Sequence, residues 1–209
     1  MIKKKFCLVG VEFDFEDLTI DEYNNYLGFF TSRKNKSYSL KKKKLGKENL
    51  NDWKKIKKKY NPDVFITIDN GREREKLYKK IYKKNYSNLI MKSSYVSHSS
   101  KKKILNKKGI VIQKFVKIMP NVKIDDGVKI NVGCQVHHGS EIGKFSTLAP
   151  ASIVLGNVKI GSYSYVGANS TIKQNIKIGK NCIIGAGSVV IRNVKDNEVV
   201  AGVPARKIR

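Results

Sequence analysis

Reading every sixth residue from Ile112 gives Ile118, Ile124, Ile130, Val136, Ile142, Leu148, Val154, Ile160, Val166, Ile172, Ile178, Ile184 and Val190, fourteen aliphatic residues without a break. A period of six belongs neither to an α-helix nor to a flat strand, whose apolar faces recur at about 3.6 and 2 residues. It fits a chain wound as short strands around a triangular core, one hexapeptide to a side and three to a coil. A second column, two residues ahead of the first, reads Val116, Val122, Val128, Cys134, Ser140, Ser146, Ser152, Val158, Ser164, Ser170, Ile176, Cys182 and Ser188, and apart from Ile176 it is small or compact. Stacked coils can therefore bury one another's columns, and Cys134 and Cys182 read as core filler. Glycine follows the aliphatic position at Gly143, Gly161, Gly167, Gly179 and Gly185. There the chain must turn a corner, and a side chain is expected to strain it.

Before residue 93 the pattern changes. Phe6-Cys7-Leu8-Val9, Tyr26 to Phe30 and Asp63 to Ile68 read as short strands, with Asn88-Leu89-Ile90 as a fourth. Leu50, Trp53, Ile56 and Tyr60 fall at helical spacing, as do Leu77, Tyr78, Ile81 and Tyr82. This alternation predicts a small Rossmann-like α/β domain over residues 1–92, followed over 93–209 by a parallel β-helix. Residues 101–109, rich in lysine and lacking the six-residue beat, are expected to form an irregular first coil.

The formal charge is +26, an excess that usually raises nucleic acid or an acidic surface as partner. Only six of the cations are arginine against 37 lysines, whereas base and phosphate recognition favours the bidentate guanidinium. The lysines are spread along the chain, so no nucleic-acid partner is expected, although an anionic substrate would still be attracted. The apolar run after Met1 is too short for a signal segment, and no stretch approaches the roughly 18 apolar residues of a membrane span. Cys7, Cys134 and Cys182 are accordingly expected as reduced thiols in a cytoplasmic protein, with no disulfide and no metal.

One corner departs from the generic repeat: Val136-His137-His138-Gly139-Ser140. Two of the chain's three histidines are adjacent here. A neutral imidazole suits general-base work near neutral pH, and an acyl acceptor must lose a proton as it attacks a thioester. Zinc is disfavoured, because His98 lies outside the repeat and no histidine-carboxylate cluster exists.

The run from Ile130-Asn131 through Val136-His137-His138-Gly139-Ser140-Glu141-Ile142-Gly143-Lys144-Phe145-Ser146 and Ala149-Pro150-Ala151 to the tail Gly202-Val203-Pro204-Ala205-Arg206-Lys207-Ile208 resembles the bacterial sugar O- and N-acetyltransferases. These include sialic acid O-acetyltransferases and the UDP-4-amino-sugar N-acetyltransferases of glycan synthesis. The resemblance is close over 93–209 and loose before it. It implies a left-handed β-helix, a homotrimer with sites between neighbouring subunits, acetyl-CoA as donor, a sugar or nucleotide-sugar acceptor, and His138 as the catalytic base with His137 beside it. It further implies that Asn131, Asp69 and Asn70 lie near the acceptor, and that Gly156, Ala168 and Ala186 line the acetyl-CoA groove.

The chain also departs from that family. Gly139 stands where a carboxylate usually follows the histidine, and Thr147 where many relatives carry a second histidine. Val11-Glu12-Phe13-Asp14 replaces the glycine-rich phosphate loop, and Thr31-Ser32 an acidic pair. Arg74, with Asp69 and Asn70, does match the family's next loop. Glu141, two residues beyond Gly139, offers a substitute charge if the corner folds back. The leading reading is an acetyltransferase. The alternative is a catalytically weakened binding or scaffold protein on the same fold.

Overall fold

The computed structural model describes residues 4–10, 25–31, 44–82 and 86–209. Val11-Glu12-Phe13-Asp14 and Ser32 lie outside the described residues. The N-terminal part places β1 (Phe6–Val9), β2 (Tyr26–Phe30), β3 (Lys44–Gly46), α1 (Leu50–Tyr60), β4 (Asp63–Ile66) and α2 (Gly71–Leu77), the last continued by one π-helical turn, Tyr78–Tyr82. Its sheet is parallel throughout, in the order β3-β2-β1-β4. Such a sheet is covered on both sides, which explains the unbroken apolar strands. Phe6 and Leu8 pack with Phe29, Phe65, Leu89, Met91 and Val111. Cys7 and Val9 face the other way, onto Phe30, Trp53, Ile66 and Tyr78. Asn49 caps α1 by accepting from the Asp52 amide at 3.0 Å. The expected apolar stripe of α1 holds at Trp53, while Leu50 faces solvent.

From residue 89 the chain is a left-handed parallel β-helix of three faces. It opens with β5 (Leu89–Ile90), β6 (Tyr95–Val96) and a short helix, α3 (His98–Leu105). Two-residue strands then begin at every sixth position from 111 to 189, before β21 (Val199–Gly202) and β22 (Ala205–Lys207) close the top. Face I stacks the strands at 89, 111, 129, 147, 165, 183 and 199, face II those at 95, 117, 135, 153, 171 and 189, and face III those at 123, 141, 159 and 177. All fourteen aliphatic positions and the whole compact column are buried in one continuous core, Cys134 and Cys182 among them.

Two expectations need correction. Leu89–Ile90 does not close the N-terminal sheet; it pairs with Val111–Ile112 as the first rung of the helix. Residues 101–109 are not irregular throughout. The spacing of that first rung exceeds the later coils because α3 is inserted, and Ile104 of α3 is buried beneath the first coil as a plug. The corner glycines are as expected: each leaves no room for a side chain, although none has a left-handed dihedral. At Gly161 an added Cβ would lie 2.5 Å from the Gly179 carbonyl carbon, and at Gly167 2.6 Å from the Ala186 amide nitrogen, so glycine serves the close approach of successive coils.

The left-handed backbone sits two residues further on, in a third column of period six. Phe115, Asn121, Gly127, Gly133, Gly139, Phe145, Ala151, Asn157, Tyr163, Asn169, Asn175, Asn181 and Gly187 all have φ between 54° and 72°. Asparagine and glycine accept this conformation readily, whereas an aromatic residue there costs roughly 1 kcal/mol. Phe145 and Tyr163 offset that cost by packing. Their rings stack at 5.9 Å, Tyr78 meets Phe145 at 6.3 Å, and the Arg72 guanidinium lies 4.6 Å over Tyr163. These residues are where the N-terminal domain docks. Gly71, at the start of α2, touches the Phe145 carbonyl so closely that any side chain would overlap it.

The three faces differ in what covers them. On face I the outward residues Val111, Lys129 and Thr147 are buried under the N-terminal domain. Face III carries Lys123, Glu141, Lys159 and Lys177, and face II carries Lys117, Gln135, Ile153, Thr171 and Val189. Among the described residues no helix is long and apolar enough to cross a membrane.

Candidate active site

His138 stands at the corner between faces II and III, two residues past a strand end, and its side chain is exposed. Gly156 occupies the same corner one coil above. A Cβ on Gly156 would lie 2.7 Å from both Cε1 and Nε2 of His138, so the imidazole rests directly over the glycine. The expected base and one expected groove residue are thus in contact. His137 is half-buried beside it, its amide donating to the Val154 carbonyl at 2.8 Å. Neither imidazole makes a side-chain hydrogen bond within the described residues, so both remain available to a ligand.

The missing carboxylate is not restored from within the corner. Glu141 is committed to face III, where its carboxylate accepts from Lys123 at 3.1 Å and lies 3.7 Å from Lys159. The Lys123 hydrogen bond, with help from Lys159, holds the Glu141 carboxyl below its ordinary range. Gly139 has φ 69°, and the space a Cβ would take is filled by the Asn157 side-chain oxygen. A residue with a side chain would have to displace Asn157.

Ala168 and Ala186 stack in successive coils at the corner between faces I and II, and Asn131 begins the same corner lower down. Asn131 is buried, its Nδ2 donating to the Leu148 carbonyl at 2.9 Å. Within one chain, therefore, the histidine corner and the alanine corner lie on opposite edges of face II.

Asp69 and Asn70 form the loop after β4. In the order β3-β2-β1-β4 the direction of winding reverses between β1 and β4, and the carboxyl ends of the strands at such a reversal are where α/β sheets take ligands. Asn70 uses its side-chain oxygen to cap α2, accepting from the Arg72 and Glu73 amides at 3.0 and 3.1 Å. Asp69 keeps a partly exposed carboxylate, paired through Oδ1 with the Lys129 ammonium at 2.7 Å. Thr147 does not stand free: its hydroxyl donates to the Asp69 carbonyl at 2.7 Å and accepts from Arg74 at 2.9 Å. Arg74, fully buried, also donates to the carbonyls of Ile68, Asp69, Gly127, Phe145 and Ser146. Burial pulls its pKa down to about 10.

Lys129 was not signalled by any motif. Its signal was its column, since it is the one charged residue among the outward positions Val111, Lys129, Thr147, Tyr165 and Ile183 of face I. Among the described residues, surface grooves of about 720 and 880 Å³ are lined by neither His137 nor His138. Among the described residues no three His, Cys, Asp or Glu side chains come together as a metal-binding group.

The repeats match the bacterial transferase hexapeptide model over residues 139–174 and again over 157–192. A sequence search of curated proteins finds no match. Among solved structures, the acetyltransferase domain of PglB from Neisseria gonorrhoeae, in complex with acetyl coenzyme A, is similar with a TM-score of 0.85 and 20% identity, covering 98% of this chain and 100% of that one. A histidine-to-alanine variant of GDP-perosamine N-acetyltransferase from Caulobacter crescentus, in complex with CoA and GDP-perosamine, gives 0.86 at 23% identity, covering 99% and 98%. WeeI from Acinetobacter baumannii gives 0.73 at 22%, covering 99% and 100%. The chain thus carries bacterial transferase hexapeptide repeats and, over nearly its whole length, shares the fold of these solved structures.

Proposed function

We propose that this protein transfers an acetyl group from acetyl-CoA to an amino or hydroxyl group of a sugar or nucleotide sugar in bacterial surface glycan synthesis, as a cytoplasmic homotrimer. The observation that carries this reading is the exposed His138 imidazole, without a side-chain hydrogen bond among the described residues, laid over Gly156 at a β-helix corner. Similarity of fold to proteins seen with acetyl coenzyme A, or with CoA and a GDP-sugar, supports the donor and the class of acceptor. The trimer has its own support. A rotational assembly that turns face II toward its axis sets the histidine corner of one copy against the alanine corner of the next, joining what a single chain keeps apart.

In this reading residues 1–92, apart from the strand Leu89–Ile90 that opens the helix, hold the acceptor at the β1/β4 reversal near Asp69. Residues 93–209 hold the donor along Gly156 and the neighbour's Ala168 and Ala186 edge. His138 takes the proton from the acceptor as its nitrogen or oxygen attacks the thioester carbonyl. Backbone amides of the corner stabilise the tetrahedral oxyanion. The C–S bond then breaks, and the CoA thiolate leaves with the proton returned from His138. His137 shapes the corner without supplying the negative charge that a carboxylate would.

The test is release of CoA thiol from acetyl-CoA across a panel of free and nucleotide-linked amino- and hydroxy-sugars. His138→Ala should lower kcat by about 10² to 10⁴ with little change in the acetyl-CoA KM, and His137→Ala should cost much less. Equal, small losses for the two variants would remove His138 as the base. No turnover with any acceptor would favour the binding-protein alternative.

A further inference from the structure

We propose that Lys129 is a positioning residue for the acceptor: it fixes the Asp69 carboxylate at the mouth of the N-terminal crevice, and Asp69 in turn accepts a hydrogen bond from a hydroxyl or N–H group of the acceptor. The inference rests on the acetyltransferase reading and extends it. Lysine is almost never fully buried unless it is paired, yet Lys129 is 0% exposed. Its ammonium donates to the Thr67 carbonyl and to Asp69 Oδ1. Burying a cation here carries a desolvation cost that an apolar side chain between Val111 and Thr147 would avoid, and Lys129 offsets it through the Thr67 carbonyl and the Asp69 carboxylate.

What Lys129 does is pin the loop after β4. Asp69 is held at its carboxylate by Lys129 and at its carbonyl by Arg74 and Thr147, while its side chain keeps 36% of its surface exposed. The Thr67 hydroxyl, in the same loop, donates to the carbonyls of Val9 and Gly10 at 3.0 and 3.1 Å, tying this loop to the end of β1 across the reversal. A carboxylate so fixed is ready for a donor and repels a phosphate. The acceptor group that meets it is therefore a sugar or ribose hydroxyl, or a base or sugar N–H, and the acceptor's phosphates, where present, lie elsewhere. Because Lys129 stands on a β-helix strand, the same contact sets the acceptor crevice against the acetyl-transfer face.

The test measures acceptor and acetyl-CoA KM for wild type, Lys129→Met, Asp69→Asn and the double variant, with melting temperatures alongside. Lys129→Met should raise the acceptor KM about tenfold, the worth of one hydrogen bond to a charged group, and leave the acetyl-CoA KM within about twofold. The double variant should be no worse than Asp69→Asn alone, since Lys129 acts through Asp69. Should Lys129→Met fail to fold, Lys129→Gln keeps a donor without the charge and should show the same, smaller shift. A working enzyme whose acceptor KM ignores the loss of Lys129, even with a lowered melting temperature, overturns the positioning role, as does a double variant whose loss is the product of the two singles. A wild type that acetylates nothing overturns the acetyltransferase reading instead, and this inference with it.

Discussion

Replacing Gly156 by alanine separates a glycine kept for the corner from one kept for the imidazole above it. The backbone there is not in the left-handed region, so alanine meets no dihedral penalty. The new methyl would lie 2.7 Å from Cε1 and Nε2 of His138, whereas carbon contacts settle at about 3.5 Å or more, so the ring must move by roughly 1 Å. The ring is the exposed tip of a rotatable side chain and can swing outward. Gly156 is buried, but the nearest atoms its new methyl meets all belong to that mobile ring, so folding stability should fall by only about 0.5 kcal/mol, the low end of what single substitutions cost. Catalysis has no such freedom, since a displacement of about 1 Å in a reacting group costs on the order of 10² in rate. Gly156→Ala should thus melt with the wild type and lose about a hundredfold in kcat. In the His138→Ala background the same change should do almost nothing further, because the displaced group is gone. Wild-type kcat in a folded Gly156→Ala protein would refute the reasoning. So would a hundredfold loss that persists without His138, which would locate the effect in the groove itself.

Arg74→Met should destabilise the protein by about 3 kcal/mol or more, because the carbonyls of Gly127, Phe145 and Ser146 lose a buried donor; chemical denaturation with an unchanged midpoint would contradict this. The three cysteines should resist a thiol reagent in the folded protein at about pH 8 and react together on unfolding, since burial pushes Cys7 up to about 12 and raises Cys134 and Cys182. Prompt labelling of even one would contradict it. Folding also holds Glu141 and Glu75 below their ordinary range through Lys123 and Lys79, and Glu198 through the Lys195 amide. Their contribution is therefore complete above about pH 4.5 and is lost as pH falls through the depressed values, so melting temperature should drop on acidification through that window; a flat profile there would remove these pairs from the account.

The six-residue column determined the β-helix from the sequence alone, because a repeat that must bury itself against its own next coil tolerates no polar residue for fourteen positions. The same repeat located His138, since a histidine pair two residues past a strand end can only stand at a corner. The left-handed column was also legible, in Asn121, Asn157, Asn169, Asn175 and Asn181, but glycine is easier to notice, and the corner glycines point to coil spacing instead. Only the tertiary structure decided what the faces do. Leu89–Ile90 reads equally well as a strand of either domain, because pairing is chosen by which edge is free and not by two apolar residues. Asp69, Lys129, Arg74 and Thr147 meet across 60 or more residues of chain wherever a β-helix residue joins the N-terminal loop, and no local pattern encodes such a meeting. The alanine corner of Ala168 and Ala186 lies on the opposite edge of face II from His138, and folding one chain does not bring the two together.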